Sequence, residues 1–234
     1  MGSSGIPTNP VRRVGSVRLV TDVLTEDRLG IPRLFCWSKF GTEAGEPIRR
    51  IRERKERERS LGRGVFLWGI GNSVGPSIKL LLERDSQPTV LFTPMLSRPA
   101  KVDSQPDAVV EWARGEGLDG RPHNVPAHST VTSRASRSTS HYALVCYSEL
   151  PIDANESGAS FGRDDVVNLA SGSPVGSSQV TAVVERATRS PAPPRPYEVA
   201  FRATLVYPFV IRLTEAAGSW PARQEPGPMP ATLW

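Results

Sequence analysis

Two aromatic-rich apolar segments on either side of a run of charge constrain the fold of this chain more than any other feature. The first, Leu34-Phe35-Cys36-Trp37-Ser38-Lys39-Phe40, ends at Gly41, and the second, Val65-Phe66-Leu67-Trp68-Gly69-Ile70-Gly71-Asn72, follows Gly62 and Gly64. Aromatic and β-branched content with glycine punctuation reads as strand in both. Between them Pro47 suits a first helical turn, Ile48 and Ile51 offer a short apolar contact, and Arg52 to Arg59 is wholly charged. Glu46/Arg50, Arg49/Glu53, Arg52/Glu56, Glu53/Arg57 and Arg54/Glu58 sit at the i,i+4 spacing that supports an exposed helix. Strand, helix, strand is the expected order, with most of the helix charges on a solvated face.

Further along, Pro76 to Arg84 reads as a short helix and Pro88 to Thr93 as a strand stopped by Pro94. Ser104, Pro106 and Asp107 open an expected helix through Val109, Val110 and Trp112 that ends near Gly115. Gly120 to Ser140 has no apolar periodicity and reads as a long loop, a feature that is usually functional. His141 to Tyr147 restores a strand; Val166 to Leu169 and Val180 to Arg186 follow, then one long or two short strands from Tyr197 to Leu213. Strands of mixed connection with two or three short flanking helices indicate an α+β fold on a curled sheet or small barrel. The expected divisions are an extension over 1–32, with strand-like density from Val14 to Leu24, a core over 33–150, additional strands over 151–215 and an irregular Pro-rich tail over 216–234.

The formal charge is +5, carried by 25 Arg against 4 Lys. That bias suits planar, bidentate partners such as phosphates and base edges, and it also follows from a GC-rich coding sequence. No stretch of 18 apolar residues or secretion signal is present, and Cys36 and Cys146 lie in strand-like runs. The expectation is a cytoplasmic protein with two buried, reduced thiols and no membrane partner. His123, His128 and His141 are too few and wrongly spaced for a zinc site, and Asp164-Asp165 reads as turn chemistry. No metal, cofactor or catalytic constellation is expected. The rival is Gly69-x-Gly71-x-x-x-Gly75, a strand-to-helix turn that would cradle the phosphate of a nucleotide cofactor in an enzyme. Against it, no acidic residue for a ribose closes the next strand, Phe92-Thr93-Pro94.

Period-two alternation puts Phe35, Trp37 and Lys39 on one face of their strand and Cys36, Ser38 and Phe40 on the other, while Phe66 and Trp68 share a face. Phe35 and Phe66 read as core. Trp37 and Trp68 adjoin polar or glycine-rich sequence at strand ends, which suits the mouth of a pocket.

The order of these two strands about a charged helix resembles the opening of PUA-like domains of the EVE and YTH type, over roughly residues 33–150. It is similar to an actinobacterial branch of that superfamily that binds 5-methylcytosine. The resemblance implies a pseudo-barrel that encloses a flipped base and makes the chain a non-catalytic reader of methylated double-stranded DNA, nucleoid-associated in the cytoplasm. A reader of methylated RNA with the same fold is the alternative. It further implies that Trp37, Ser38, Lys39 and Phe40 form one wall of the pocket, Trp68 and Asn72 the opposing wall, and that Tyr147 closes it. Arg98, Arg134 and Arg137, with Lys39, are the expected phosphate contacts.

Overall fold

The computed structural model describes residues 30–41, 46–95, 108–133, 141–152, 158–187 and 197–219. In chain order the elements are β1 (Leu34–Phe40), α1 (Ile48–Leu61), β2 (Val65–Ile70), α2 (Gly75–Leu82), β3 (Thr89–Pro94), β4 (Ala108–Gly117), β5 (Pro122–Asn124), β6 (Thr130–Ser133), β7 (His141–Tyr147), β8 (Ser160–Phe161), β9 (Val166–Asn168), β10 (Thr181–Arg186), β11 (Tyr197–Glu198) and β12 (Phe201–Ser219). This is a mixed α+β fold, mostly sheet, with two short α-helices among the described residues. Ten strands form one open sheet in the order β2-β7-β12-β3-β1-β10-β9; β4 joins β12 and carries β5 and β6. The remaining two, β8 and β11, pair as a separate ribbon.

The first strand, β1, lies centrally, parallel to β3 and antiparallel to β10, and is buried on both faces from Phe35 onward. That explains its nearly continuous apolar sequence. One face packs Cys36 and Phe40 with Phe66, Trp68, Phe92 and Phe201; the other packs Phe35 and Trp37 with Phe161, Val184 and Val199. The last strand, β12, runs beside β3 from Phe201 to Thr204, beside β7 up to Leu213, and beside β4 from Ile211 to Ser219. Its ladder to β7 is interrupted between Leu205 and Val210. Beyond the interruption β12 takes up β4, and Leu67, Trp112, Val131, Ala143, Val145, Ile211 and Leu213 form a further buried cluster. Strand β6 lies against β2 so closely that a Cβ on Gly69 would lie 2.6 Å from Val131 Cγ1.

Two expectations fail here. Residues expected to form a helix from Ser104 to Gly115 instead form β4 from Ala108 onward. Val109 and Val110 are β-branched, and long-range ladders to β12 and β6 outweigh a weak local helical preference. The expected loop from Gly120 to Ser140 contains β5 and β6, which ladder onto β4 despite having no apolar periodicity. Residues Val14 to Leu24 lie outside the described residues. No described helix is long and apolar enough to cross a membrane.

Candidate functional site

A cavity of about 880 Å³ opens between the sheet and both helices. Ile51, Arg54 and Lys55 of α1 line one side, Ser77 of α2 and the turn Gly71 to Val74 line another, and Val131 and Thr132 of β6 lie alongside. Val180 to Val183 at the start of β10, Tyr142 of β7, Phe40 and Trp68 also border it.

Trp68 is fixed from several sides and is only 6 % exposed. Its ring lies 4.5 Å from Phe92 and 5.7 Å from Phe40, centroid to centroid, and its Nε1–H donates to Ser38 Oγ at 2.9 Å. Ser38 Oγ is in turn 3.1 Å from Thr181 Oγ1. An indole whose edge is already hydrogen-bonded and whose neighbours are aromatic cannot rotate to suit a ligand, so it offers a preorganised apolar wall.

The sequence-expected pocket residues are therefore only partly brought together. Phe40, Trp68 and Asn72 border the cavity, with Asn72 exposed at its rim. Ser38 sits behind the wall as the partner of Trp68. Trp37 does not belong to it. At 1 % exposed, Trp37 is sealed on the opposite face of β1 by Phe161 at 5.1 Å and Tyr197 at 4.7 Å, and its Nε1–H donates to Thr93 Oγ1. Trp37 and Trp68 are not on neighbouring strands either, because β3, β12 and β7 intervene. Lys39 borders the cavity, but its ammonium lies 4.6 Å from the Trp37 ring centroid, on that other face. Tyr147 is at the far end of β7, where it lines a separate cleft of about 360 Å³ with Arg59 and Arg63. The tyrosine that reaches the main cavity is Tyr142, opposite Ile70 on the Trp68 side of the β2–β7 ladder. Arg98, Arg134 and Arg137 lie outside the described residues.

A buried ionic cluster forms the α1 wall, foreshadowed in sequence only by the 46/50 to 54/58 spacing that also suits a solvated face. Glu58 is 1 % exposed; it receives Lys55 Nζ at 2.9 Å, the Thr130 hydroxyl, and the Leu67 backbone N–H at 3.4 Å. Arg54 donates to Thr130 Oγ1 at 2.7 Å and holds Glu46 through two bonds of 3.0 and 2.6 Å. Burial pushes the Lys55 ammonium down to about 8, against the opposing pull of Glu58. Of the expected solvated pairs, Arg49–Glu53 does form at 2.9 Å on the exposed face.

Burial pushes the Cys36 thiol up to about 12 and raises Cys146 well above its ordinary value, so neither offers a thiolate. The described residues contain no group of His, Cys, Asp or Glu arranged to hold a metal. The glycine turn from Gly69 to Gly75 follows an antiparallel strand, and β2 is separated from β3 by β7 and β12. The parallel strand–helix–strand unit in which such a turn cradles a phosphate is not formed there. At Gly69 the missing side chain serves the close approach of Val131.

No protein-family model, curated protein or solved structure matches this chain.

Proposed function

We propose that the chain is a non-catalytic reader of modified nucleic acid. In this reading it is a PUA-like module of the EVE and YTH type that takes an extruded 5-methylcytosine from double-stranded DNA into the Trp68 cavity. The observation that carries it is the fixed Trp68 indole beside Phe40 in a cavity of about 880 Å³ whose rim holds Asn72, Ser73 and Ser77. A concave, mostly apolar site with a few convergent polar groups is the usual form of a site for a small planar group.

The energetics are consistent with a base. Extrusion costs about a few kcal/mol. Stacking on one aromatic returns about 1–3 kcal/mol, and both Trp68 and Tyr142 border the cavity. Ile51 and Val131 supply apolar surface for a methyl group, worth about 0.8 kcal/mol, or roughly fourfold in affinity, unless its absence leaves a void. The charge of +5 favours a polyanion, and phosphate contacts would give most of the affinity. Buried, reduced thiols accord with a place in the cytoplasm beside the DNA.

The test is a gel-shift titration with matched DNA duplexes and RNAs, with and without cytosine methylation. Trp68→Ala and the less buried Tyr142→Ala should each weaken binding to methylated DNA roughly 5- to 100-fold, with circular dichroism confirming the fold. Tighter binding to methylated RNA would move the reading to RNA. Equal binding to every probe, or full binding by both folded variants, would overturn it.

A further inference from the structure

We propose that Thr181 selects the edge of the ligand: its hydroxyl donates a hydrogen bond to an acceptor on the bound ring, a ring carbonyl or an unprotonated ring nitrogen, beside the Trp68 indole. This rests on reading the cavity as a base site and adds which edge of the base faces inward.

An indole N–H only donates, so Ser38 Oγ accepts from Trp68 Nε1 at 2.9 Å. Ser38 is wholly buried, and the one further partner of its hydroxyl among the described residues is Thr181 Oγ1 at 3.1 Å. Buried donors are nearly always satisfied, so the Ser38 proton goes to Thr181. The relay therefore runs in one direction, from Trp68 to Ser38 to Thr181. The Thr181 hydroxyl proton is then left without an acceptor among the described residues. Thr181 is 7 % exposed, lies directly opposite Ser38 in the β1–β10 ladder, and so shares the face of β1 that carries Phe40 and faces the cavity. A side chain more than nine-tenths buried with one spare donor at a cavity wall asks for an acceptor.

Lys55 on the α1 wall does not compete for this role. The Lys55 ammonium donates to both carboxylate oxygens of Glu58 and to the Thr130 carbonyl, which uses all three of its protons. On a cytosine ring the acceptors are O2 and N3 and the donor is the exocyclic amine. Thr181 thus predicts that the O2/N3 edge faces β10, with the amine and the C5 substituent turned away from it.

Dissociation constants from NMR titration test this, for an oligonucleotide carrying 5-methylcytosine and for two single-ring probes. N-methyl-2-pyridone has a carbonyl acceptor and no donor, whereas aniline has an amine and no carbonyl. Wild type should bind N-methyl-2-pyridone more tightly than aniline, a comparison that needs no mutation. Thr181→Val should weaken the oligonucleotide and N-methyl-2-pyridone roughly 5- to 10-fold and leave aniline unchanged, and Thr181→Ser should restore binding. If the oligonucleotide binds and Thr181→Val does not weaken it, the Thr181 assignment is overturned while the base reading stands. If N-methyl-2-pyridone binds in a Thr181-dependent way and no nucleic acid does, the base reading fails and the donor assignment stands. Binding of no probe removes both.

Discussion

Replacing Glu58 with leucine would leave the Lys55 ammonium and the Arg54 guanidinium together at the α1 wall without the carboxylate that now receives Lys55 and the Thr130 hydroxyl. Breaking a buried ion pair from one side typically costs about 3–5 kcal/mol, far more than loss of an exposed pair such as Arg49–Glu53. Urea denaturation should show Glu58→Leu destabilised by that amount and Glu53→Ala by under about 1 kcal/mol. The same cluster gives a pH dependence with a definite sign. Lys55 titrates near 8 in the fold against 10.5 ordinarily, so at a pH below 8 both states hold the proton and stability does not depend on it. Between those values the unfolded chain binds more protons, and the Lys55 contribution makes stability rise with pH. The stability difference between wild type and Lys55→Met should therefore shift in favour of wild type from pH 8 to pH 10; a flat or falling difference contradicts the burial of a charged lysine. The thiols give a second check. Cys36 and Cys146 are buried with raised pKa, so an aromatic disulfide reagent at pH 8 should label neither in the native protein and both in denaturant.

Among the elements, β2 and β6 meet where Gly69 faces Val131. Gly69→Ala forces a methyl into that seam and should cost about 1–3 kcal/mol. Val131→Ala removes the obstructing methyl groups, so the double variant should be more stable than the sum of the two changes predicts, a coupling that a thermal-denaturation cycle measures. Gly64, at a φ of +95° with the Tyr147 ring 2.5 Å from where a Cβ would sit, fixes the other end of β2. Local pattern was enough to place β1, α1, β2, α2, β3 and β7 within a few residues, because glycine and proline mark their ends. It also gave the two faces of β1, since side-chain parity depends on nothing outside the strand. Parity does not say what covers each face. Trp37 looks pocket-like in sequence because its covers, Phe161 and Tyr197, come from the β8–β11 ribbon more than a hundred residues away. Likewise β4 reads as helix until β12 and β6 flank it.

Among the described residues, β12 ties β3 and β7 to β4, and the cavity is lined by α1, α2, β6 and the start of β10. A site assembled from such distant segments is legible only in fragments. Phe40 and Asn72 entered only through the resemblance in strand–helix–strand order, whereas Trp68 was recognisable from its place at a strand end. Thr181, Tyr142 and the Glu58 cluster were not, because they enter through non-local pairing and through helix charges whose spacing also suits a solvated face. The proposed reader receives a nucleobase on the Trp68 side of the sheet and not on the Trp37 side. Indole N–H resonances in a ¹⁵N-labelled sample titrated with a 5-methylcytosine oligonucleotide test it most directly. The Trp68 indole and the Asn72 side-chain amide should shift together while the Trp37 indole stays in place. Binding that moves Trp37 and leaves Trp68 unchanged, or that moves neither, would contradict it.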